Sequence, residues 1–407
     1  MYNKNEIIMK GDLTMKRFTK PLALFLAVLM TSMLLVPALA AETQPDLYAP
    51  LKEGTGYVAI GDSFTRGYGA GDRWQEQIYL NDDYGNFECR NVDGSYPNRI
   101  AEKFGLNAPD DIRDTSAKLW PLAHDAVSTA YMLDLLGIDD GFRDDEFTYQ
   151  DGSMLRRYAA DLQYFGDPLS YTIDGTATYG KTGEIMSVRE LLKNASLITL
   201  GVGQTDVVYK AQIFGLNTLD LSDTAALPGG VANIIALLYR YFDYWKEAYP
   251  LLLDFIKENN PDAKVVLVGT LNPIKNATIS DDSTLPIGNA INIIMDLMNG
   301  FTRKCAEDYG YMFVDISDVE TPASVKQMSI GQILSIEDPI EYALVAHPTQ
   351  KGYGQIADRI IAAVEKELKR DASNGTNETF DFVVSILERV MTFLTRIVDF
   401  VRRVLGK

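Results

Sequence analysis

The sequence predicts an α/β protein whose central sheet is mostly parallel and is covered by helices on both faces. Short apolar runs typical of buried strands recur along the chain, at 57–61, 198–202, 264–269 and 312–315. Amphipathic helical patterns separate them, at 97–104, 128–136, 187–194, 231–257, 291–309 and 349–370. Strands that alternate with helices in this way favour a parallel sheet, because each crossover helix packs back onto a face of the sheet.

Two polar segments follow predicted strands directly. Gly61-Asp62-Ser63 follows the first strand, and residues 203–206 follow the second. Ligands of open α/β sheets bind at the carboxyl ends of the strands. We therefore expect both segments to belong to one site.

The N-terminal residues resemble an export signal. Met15-Lys16-Arg17 and Lys20 form a basic region, residues 21–36 are almost entirely apolar, and Ala38-Leu39-Ala40 is a small-residue cleavage site. The apolar run is short for a membrane anchor and its end is typical of processing. The pattern predicts a signal peptide at 1–40 and a secreted or cell-surface protein.

The alternation of strands and helices breaks down between residues 139 and 183, a stretch that is acidic and rich in tyrosine. It is interpreted as an insertion into the main domain, 41–370. Two alternatives stay open: a roof over a binding site, or a surface excursion with a small core of its own.

The C-terminal part is predicted to be a linker at 371–378 followed by a separate amphipathic helix at 379–407. Its apolar residues recur at steps of three and four, and its basic residues are Arg389, Arg396, Arg402, Arg403 and Lys407. Such a helix can lie on a membrane or wall surface, enter a helical oligomer, or pack on its own domain. The sequence leaves these three alternatives open.

Charge and cysteine content exclude several classes of function. After residue 40 the chain has 33 basic and 54 acidic residues, a formal charge of −21, which argues against a nucleic-acid partner. Cys89 and Cys305 permit one disulfide, and the sequence does not decide whether it forms. Without a C-x-x-C motif or a Cys/His cluster, we expect no metal and no organic cofactor.

Ser63 is the candidate nucleophile, because a strand-to-loop position exposes its hydroxyl and a neighbouring base can then take its proton. The chain has only two histidines, His124 and His347. A lone histidine is usually structural, which is our interpretation of His124. His347 lies just before a helix that Thr349 can cap. The G-x-S-x-G elbow is absent, which disfavours an α/β-hydrolase fold.

Six segments, in order, resemble the sequence blocks of SGNH/GDSL hydrolases, in particular their secreted lipase and esterase branch. They span about residues 56–368 and are 61–67 (GDSFTRG), Cys89-Arg90 with Ser95-Tyr96-Pro97, 122–133, 203–206 (GQTD), 265–273 (VVLVGTLNP), and His347-Pro348 with Gly352-Tyr353. The resemblance implies a flavodoxin-like three-layer α/β/α sandwich. It also implies hydrolysis of esters, with Ser63 as nucleophile and His347 as general base.

The resemblance further implies an oxyanion hole formed by the backbone N–H groups of Ser63 and Ala126 and by the side chain of Thr205. Ala126 stands where the family has glycine, and Thr205, beside Gln204, stands where it has asparagine. Leu344 occupies the position of the acidic residue that orients the histidine. A main-chain carbonyl of Leu344 or a neighbour, or the carboxylates of Asp338, Glu341 or Asp315, are the alternatives.

The expected function is therefore that of an exported ester hydrolase acting on lipid or acylated carbohydrate. The alternative is a catalytically impaired family member that binds an acyl or glycan ligand at the cell surface, which the residues at Thr205 and Leu344 motivate.

Overall fold

The structure is a computed structural model of the whole chain. It describes residues 46–72, 92–107, 116–123, 128–136, 138, 169–171, 177–179, 188–209, 227–273, 275, 277–278 and 287–404. The predicted signal peptide, Cys89, His124, Ala126 and most of the 139–183 insertion lie outside these residues.

A five-stranded parallel sheet forms the centre of the domain. Its strands are β1 (Gly56–Gly61), β2 (Leu119–Pro121), β5 (Ala195–Gly201), β6 (Lys264–Val268) and β7 (Met312–Val314), in the spatial order β2-β1-β5-β6-β7. Counted among these five strands alone, the order is 2-1-3-4-5, that of a flavodoxin-like sheet. The predicted fold class is confirmed.

Ten α-helices are described around the sheet. They are α1 (Ser63–Arg66), α2 (Tyr96–Phe104), α3 (Thr129–Leu135), α4 (Val188–Lys193), α5 (Leu227–Asn259), α6 (Ile287–Tyr309), α7 (Pro322–Lys326), α8 (Ile330–Leu334), α9 (Pro339–Ala346) and α10 (Gln350–Val404). A 3-10 helix at Ala49–Lys52 and a π-helix at Thr205–Tyr209 complete the helical elements. A hairpin of β3 (Leu169–Tyr171) and β4 (Ala177–Tyr179) falls within the predicted insertion.

Strand residues alternate between the two faces of the sheet, as the pleat requires. One set, including Val58, Ile198 and Leu267, joins the main apolar core with Trp245 of α5 and Met298 of α6. On the other face, α2 and α10 pack against each other, and Tyr353 and Ile356 of α10 are fully buried. The result is a three-layer arrangement in which every described residue of β1 is buried.

Two expectations from the sequence need correction. Strand β2 was not predicted, because it is only three residues long and ends in Pro121; a proline is tolerated there because β2 is an edge strand. The predicted linker at 371–378 is helical, since α10 continues without a break through it. Gly375 costs a helix about 1 kcal/mol relative to alanine, and no proline interrupts the segment.

Two further features bear on the cysteines and on membrane spans. Cys305 is a buried free thiol. Among the residues described, no helix is both long and apolar enough to cross a membrane.

Candidate active site

The first candidate segment turns sharply from β1 into α1. Asp62 is the N-cap of α1, and its Oδ1 accepts a hydrogen bond from the Phe64 backbone N–H at 3.0 Å. The helix ends after one turn at Gly67, whose φ of 95° is the left-handed conformation that glycine tolerates. Ser63 is thereby placed at the start of the helix, at the carboxyl end of β1, and is partly exposed.

A buried hydroxyl pair lies beneath this turn. The Thr65 hydroxyl is 2.7 Å from that of Tyr96. A Cβ added at Gly61 would come within 1.9 Å of Thr65 Oγ1, and one at Gly201 within 2.6 Å of it. The glycines at the ends of two adjacent strands therefore leave the space into which the turn that carries Ser63 packs.

His347 directly follows α9 and faces the serine. Its Nε2 lies 2.7 Å from Ser63 Oγ, across 284 residues of sequence. Its Nδ1 lies 2.7 Å from the carbonyl oxygen of Ala343. Because a carbonyl oxygen only accepts, Nδ1 carries the ring proton, and Nε2 is left free to accept the proton of the serine hydroxyl.

Aromatic rings enclose the imidazole. The Phe64 ring packs edge-on against it, with ring centroids 4.8 Å apart. The centroid of the Tyr68 ring lies 4.7 Å from that of the imidazole, and the two rings are tilted relative to each other. Burial lowers the pKa of His347 to about 4, against a smaller opposite effect of the Ala343 hydrogen bond. The ring is therefore neutral at pH 7, the state in which it can take a proton.

Of the predicted alternatives for the group that orients His347, the one observed is a main-chain carbonyl next to Leu344: that of Ala343 contacts Nδ1, and Leu344, Asp338 and Glu341 do not. Asp338 instead caps α9, where Oδ1 accepts from the N–H groups of Ile340 and Glu341. Leu344 accepts from the His347 backbone N–H at 3.2 Å. Asp315, the further candidate, pairs with Arg303. Because a residue four positions back on a helix presents its free carbonyl at the C-terminus, no carboxylate is needed there.

Of the two predicted oxyanion donors besides Ser63, the structure describes only Thr205. Ala126 lies outside the described residues. Thr205 is buried, and its hydroxyl donates to Asp62 Oδ2 at 3.1 Å, so its single proton is already engaged. Gln204 is also buried, and its Oε1 has no partner within the part of the chain that is described.

Two buried carboxylates that sequence reasoning did not select join this loop to its neighbours. Burial raises the pKa of Asp62 to about 7, with a further increase from the nearby Asp206. Asp206 is fully buried and accepts three hydrogen bonds from Thr129: two from the backbone N–H at 2.9 and 3.0 Å, and one from the hydroxyl at 3.1 Å. The only sequence signal for these two residues is that Asp62 lies in segment 61–67 and Asp206 in segment 203–206.

In the described ranges no group of three or more His, Cys, Asp or Glu residues could hold a metal ion.

Comparison with known proteins gives similarities in structure only. No family model matches the chain, and no curated protein matches it in sequence. The chain is similar to an extracellular lipase from Streptomyces rimosus, with 19% identity, a TM-score of 0.45, and coverage of 75% of this chain and 98% of the lipase. A phospholipase A1 from Streptomyces albidoflavus gives 19% identity, a TM-score of 0.42, and coverage of 76% and 99%.

A third similar structure is a variant of an acetyl-xylooligosaccharide esterase from Geobacillus, with 12% identity, a TM-score of 0.34, and coverage of 77% of this chain and 96% of the esterase. The solved structures that resemble the chain are thus lipases and esterases. With TM-scores below 0.5 the likeness is distant, and the function has to be inferred from the geometry of the site itself.

Proposed function

We propose that the protein is a serine ester hydrolase of the SGNH/GDSL type, with Ser63 as nucleophile and His347 as general base. The observation that carries the proposal is the Ser63–His347 pair, in which Nε2 stands 2.7 Å from the hydroxyl oxygen and Nδ1 is held by the Ala343 carbonyl. A nucleophile, a base and an orienting group within hydrogen-bond reach are the requirements of nucleophilic acyl transfer.

In the proposed reaction, Ser63 Oγ attacks the ester carbonyl carbon as its proton moves to His347 Nε2. The resulting imidazolium donates that proton to the leaving alkoxide, which breaks the ester C–O bond and leaves an acyl-serine. A water molecule then attacks the acyl carbonyl as His347 Nε2 takes its proton. The bond between the acyl carbon and Ser63 Oγ breaks, Nε2 returns the proton to Oγ, and the acid is released. Burial destabilises the imidazolium, which makes the ring a strong acid toward the leaving group.

The Ser63 backbone N–H is the proposed first donor to the oxyanion, because N–H groups in the first turn of a helix have no intrahelical partner. Ala126 N–H is the proposed second donor. We propose lipid esters or acylated carbohydrates as substrates, and export of the protein through the segment 1–40.

The test is hydrolysis of short p-nitrophenyl esters together with labelling by a fluorophosphonate probe. Ser63→Ala removes the nucleophile, and we expect it to lose labelling entirely and to lower kcat by on the order of 10³-fold or more. Thr302→Ala, a buried hydroxyl bonded to the Met298 carbonyl within α6, is a control for the loss of a hydroxyl elsewhere. Hydrolysis that persists in Ser63→Ala would reject the mechanism.

A second candidate is a catalytically impaired protein that binds an acyl or glycan ligand. It is favoured by the engagement of the Thr205 hydroxyl with Asp62, which removes one expected donor to the oxyanion. Wild-type protein that fails to hydrolyse a broad ester panel and is not labelled by the probe would support this candidate.

A further inference from the structure

The four residues Asp62, Thr205, Asp206 and Thr129, here called the carboxylate clasp, connect three segments of the site. Asp62 belongs to the nucleophile turn, Thr205 and Asp206 begin the π-helix, and Thr129 begins α3. Their hydrogen bonds span 143 residues between Asp62 and Thr205 and 77 residues between Thr129 and Asp206.

Every member of the clasp is buried: Asp62 is 1% exposed, Thr205 4%, and Asp206 and Thr129 0%. Burying a carboxylate without hydrogen-bond donors costs the folded protein several kcal/mol. These hydrogen bonds therefore offset a large part of the cost of burying Asp62 and Asp206. Asp62 accepts from Phe64 N–H and from the Thr205 hydroxyl, and Asp206 accepts three bonds from Thr129. The clasp thus consists of two buried hydrogen-bonded pairs, Thr205–Asp62 and Thr129–Asp206, which are joined by the peptide bond between Thr205 and Asp206.

The position of the clasp gives it a consequence for chemistry. Asp62 directly precedes Ser63, and Thr129 lies three positions after Ala126, the residue whose N–H is the proposed second oxyanion donor. A shift of the turn that carries Ser63 changes the distance between Ser63 Oγ and His347 Nε2, which is 2.7 Å in this structure. Displacements near 1 Å at such a site cost about 10²-fold in rate.

We propose that the carboxylate clasp positions Ser63 against His347, and that Thr205 acts as a positioning residue through its bond to Asp62 rather than as a donor to the oxyanion. This inference rests on the proposed function. It assigns to Thr205, in segment 203–206, a role in positioning instead of direct contact with substrate.

The test compares Thr205→Val, which keeps the shape of the side chain without the hydroxyl, with Thr205→Ser, which keeps the hydroxyl. We expect Thr205→Val to lower kcat roughly ten- to hundredfold and to change KM less than about twofold, while Thr205→Ser stays within about threefold of wild type. Thr129→Val and Thr129→Ser form a second matched pair. Their difference should be smaller, because Asp206 keeps both bonds from the Thr129 backbone N–H.

A second readout does not depend on activity. The Thr205 hydrogen bond lowers the pKa of Asp62, while burial and Asp206 raise it. Among the described residues, the titratable groups that interact with Asp62 are Asp206 and, from α2, Tyr96. Thr205→Val should therefore move the carboxyl titration of Asp62 to higher pH, measured by carbon NMR and assigned with Asp62→Asn, and Thr205→Ser should not.

The outcomes separate the two proposals. If the wild type is active and Thr205→Val matches it in kcat, or if Val and Ser are impaired equally, the clasp is overturned. If the wild type neither hydrolyses esters nor reacts with the probe, the proposed function fails, and the clasp is then decided by the titration: an Asp62 midpoint that is the same in Thr205→Val and wild type overturns it.

Discussion

Ser63 and His347 meet at one site, but the two sides of the molecule that carry them are built differently. Ser63 lies just after strand β1 of the central sheet. Buried contacts hold its turn: Asp62 bonds to Thr205 of the π-helix, and Thr65 packs against Tyr96 of α2 and the strand-end glycines. His347 is held by the carbonyl of Ala343 on its own short helix. That helix packs through Val345 into a small cluster with Ala323 and Ile333, separate from the main core.

This difference indicates which substitutions should displace Ser63 and which should displace His347. Ser63, the proposed nucleophile, depends on contacts between residues far apart in sequence, so changes within the sheet should displace it. The hydrogen bond of His347, the proposed base, to Ala343 depends on local helix geometry, so changes in the sheet should affect that bond little. Substitutions that act on one side only can test this division.

The largest effect is expected from Gly201→Ala, on the nucleophile side. Its Cβ would lie 2.6 Å from Thr65 Oγ1 and 3.0 Å from the Tyr96 hydroxyl, so the turn that carries Ser63 must move. We expect kcat to fall on the order of 10²-fold and stability to fall by about 1–3 kcal/mol, measured by ester kinetics and by urea unfolding.

Two controls make this prediction specific. Adding Thr65→Ala to Gly201→Ala removes the colliding oxygen and should recover part of the lost activity. Gly300→Ala, in α6, introduces a Cβ with no atom within 4 Å and should leave kcat unchanged. Full activity in Gly201→Ala would show that the turn is not held by the sheet.

On the two sides, Asp62 and His347 should contribute to folding stability with opposite dependences on pH. The pKa of Asp62 is raised by burial to about 7, so the folded state binds its proton more tightly and stability from this group is lost as pH rises from about 4 to 7. The pKa of His347 is lowered by burial to about 4, so stability from this group increases as pH rises from about 4 to 6.5.

Asp62→Asn and His347→Gln should separate these contributions in thermal melts between pH 4 and 8. Relative to wild type, Asp62→Asn should become more stable as pH rises, by up to about 4 kcal/mol, and His347→Gln should become less stable. Differences from wild type that are constant with pH would contradict both assignments.

A smaller effect is expected at the N-cap of α9. Asp338→Ala removes the acceptor for the Ile340 and Glu341 N–H groups, which costs about 1 kcal/mol. Because the cap lies at the far end of α9 from His347, we expect kcat to fall less than about tenfold, and Asp338→Asn, which retains the cap, to resemble wild type. A fall near 10⁴-fold, as when a triad loses its carboxylate, would instead identify Asp338 as the orienting group.

The smallest effect on catalysis is expected from removing residues 379–407. Arg389, Thr392 and Arg396 are exposed along one side of this part of α10. We expect the shortened protein to keep its kcat on soluble esters and to co-sediment less with anionic liposomes, since basic amphipathic helices bind such surfaces. Equal sedimentation of both forms would discard the membrane alternative.

The sequence predicts the features that depend on local patterns, and it does not predict those that depend on contacts between distant residues. The strands β1, β5, β6 and β7 were predicted because buried parallel strands are apolar runs, and Ser63 and His347 stood out by motif and by scarcity. A main-chain carbonyl of Leu344 or a neighbour is among the alternatives that the sequence predicts, and the Ala343 carbonyl fits it. The sequence does not single out Ala343, because every residue has a carbonyl and only the end of the helix leaves this one free. The engagement of Thr205 with Asp62 depends on a contact across 143 residues, which no local pattern encodes.

Helix α10 connects the site to the end of the chain in one piece. Near its start, the fully buried Tyr353 donates to the carbonyl of Tyr68, whose ring packs beside His347. Its 55 residues correspond to about 80 Å if straight. Because one continuous helix joins the contact at Tyr68 to residues 379–404, we expect a surface that binds this far part of α10 to influence how the Ser63–His347 pair is oriented toward that surface.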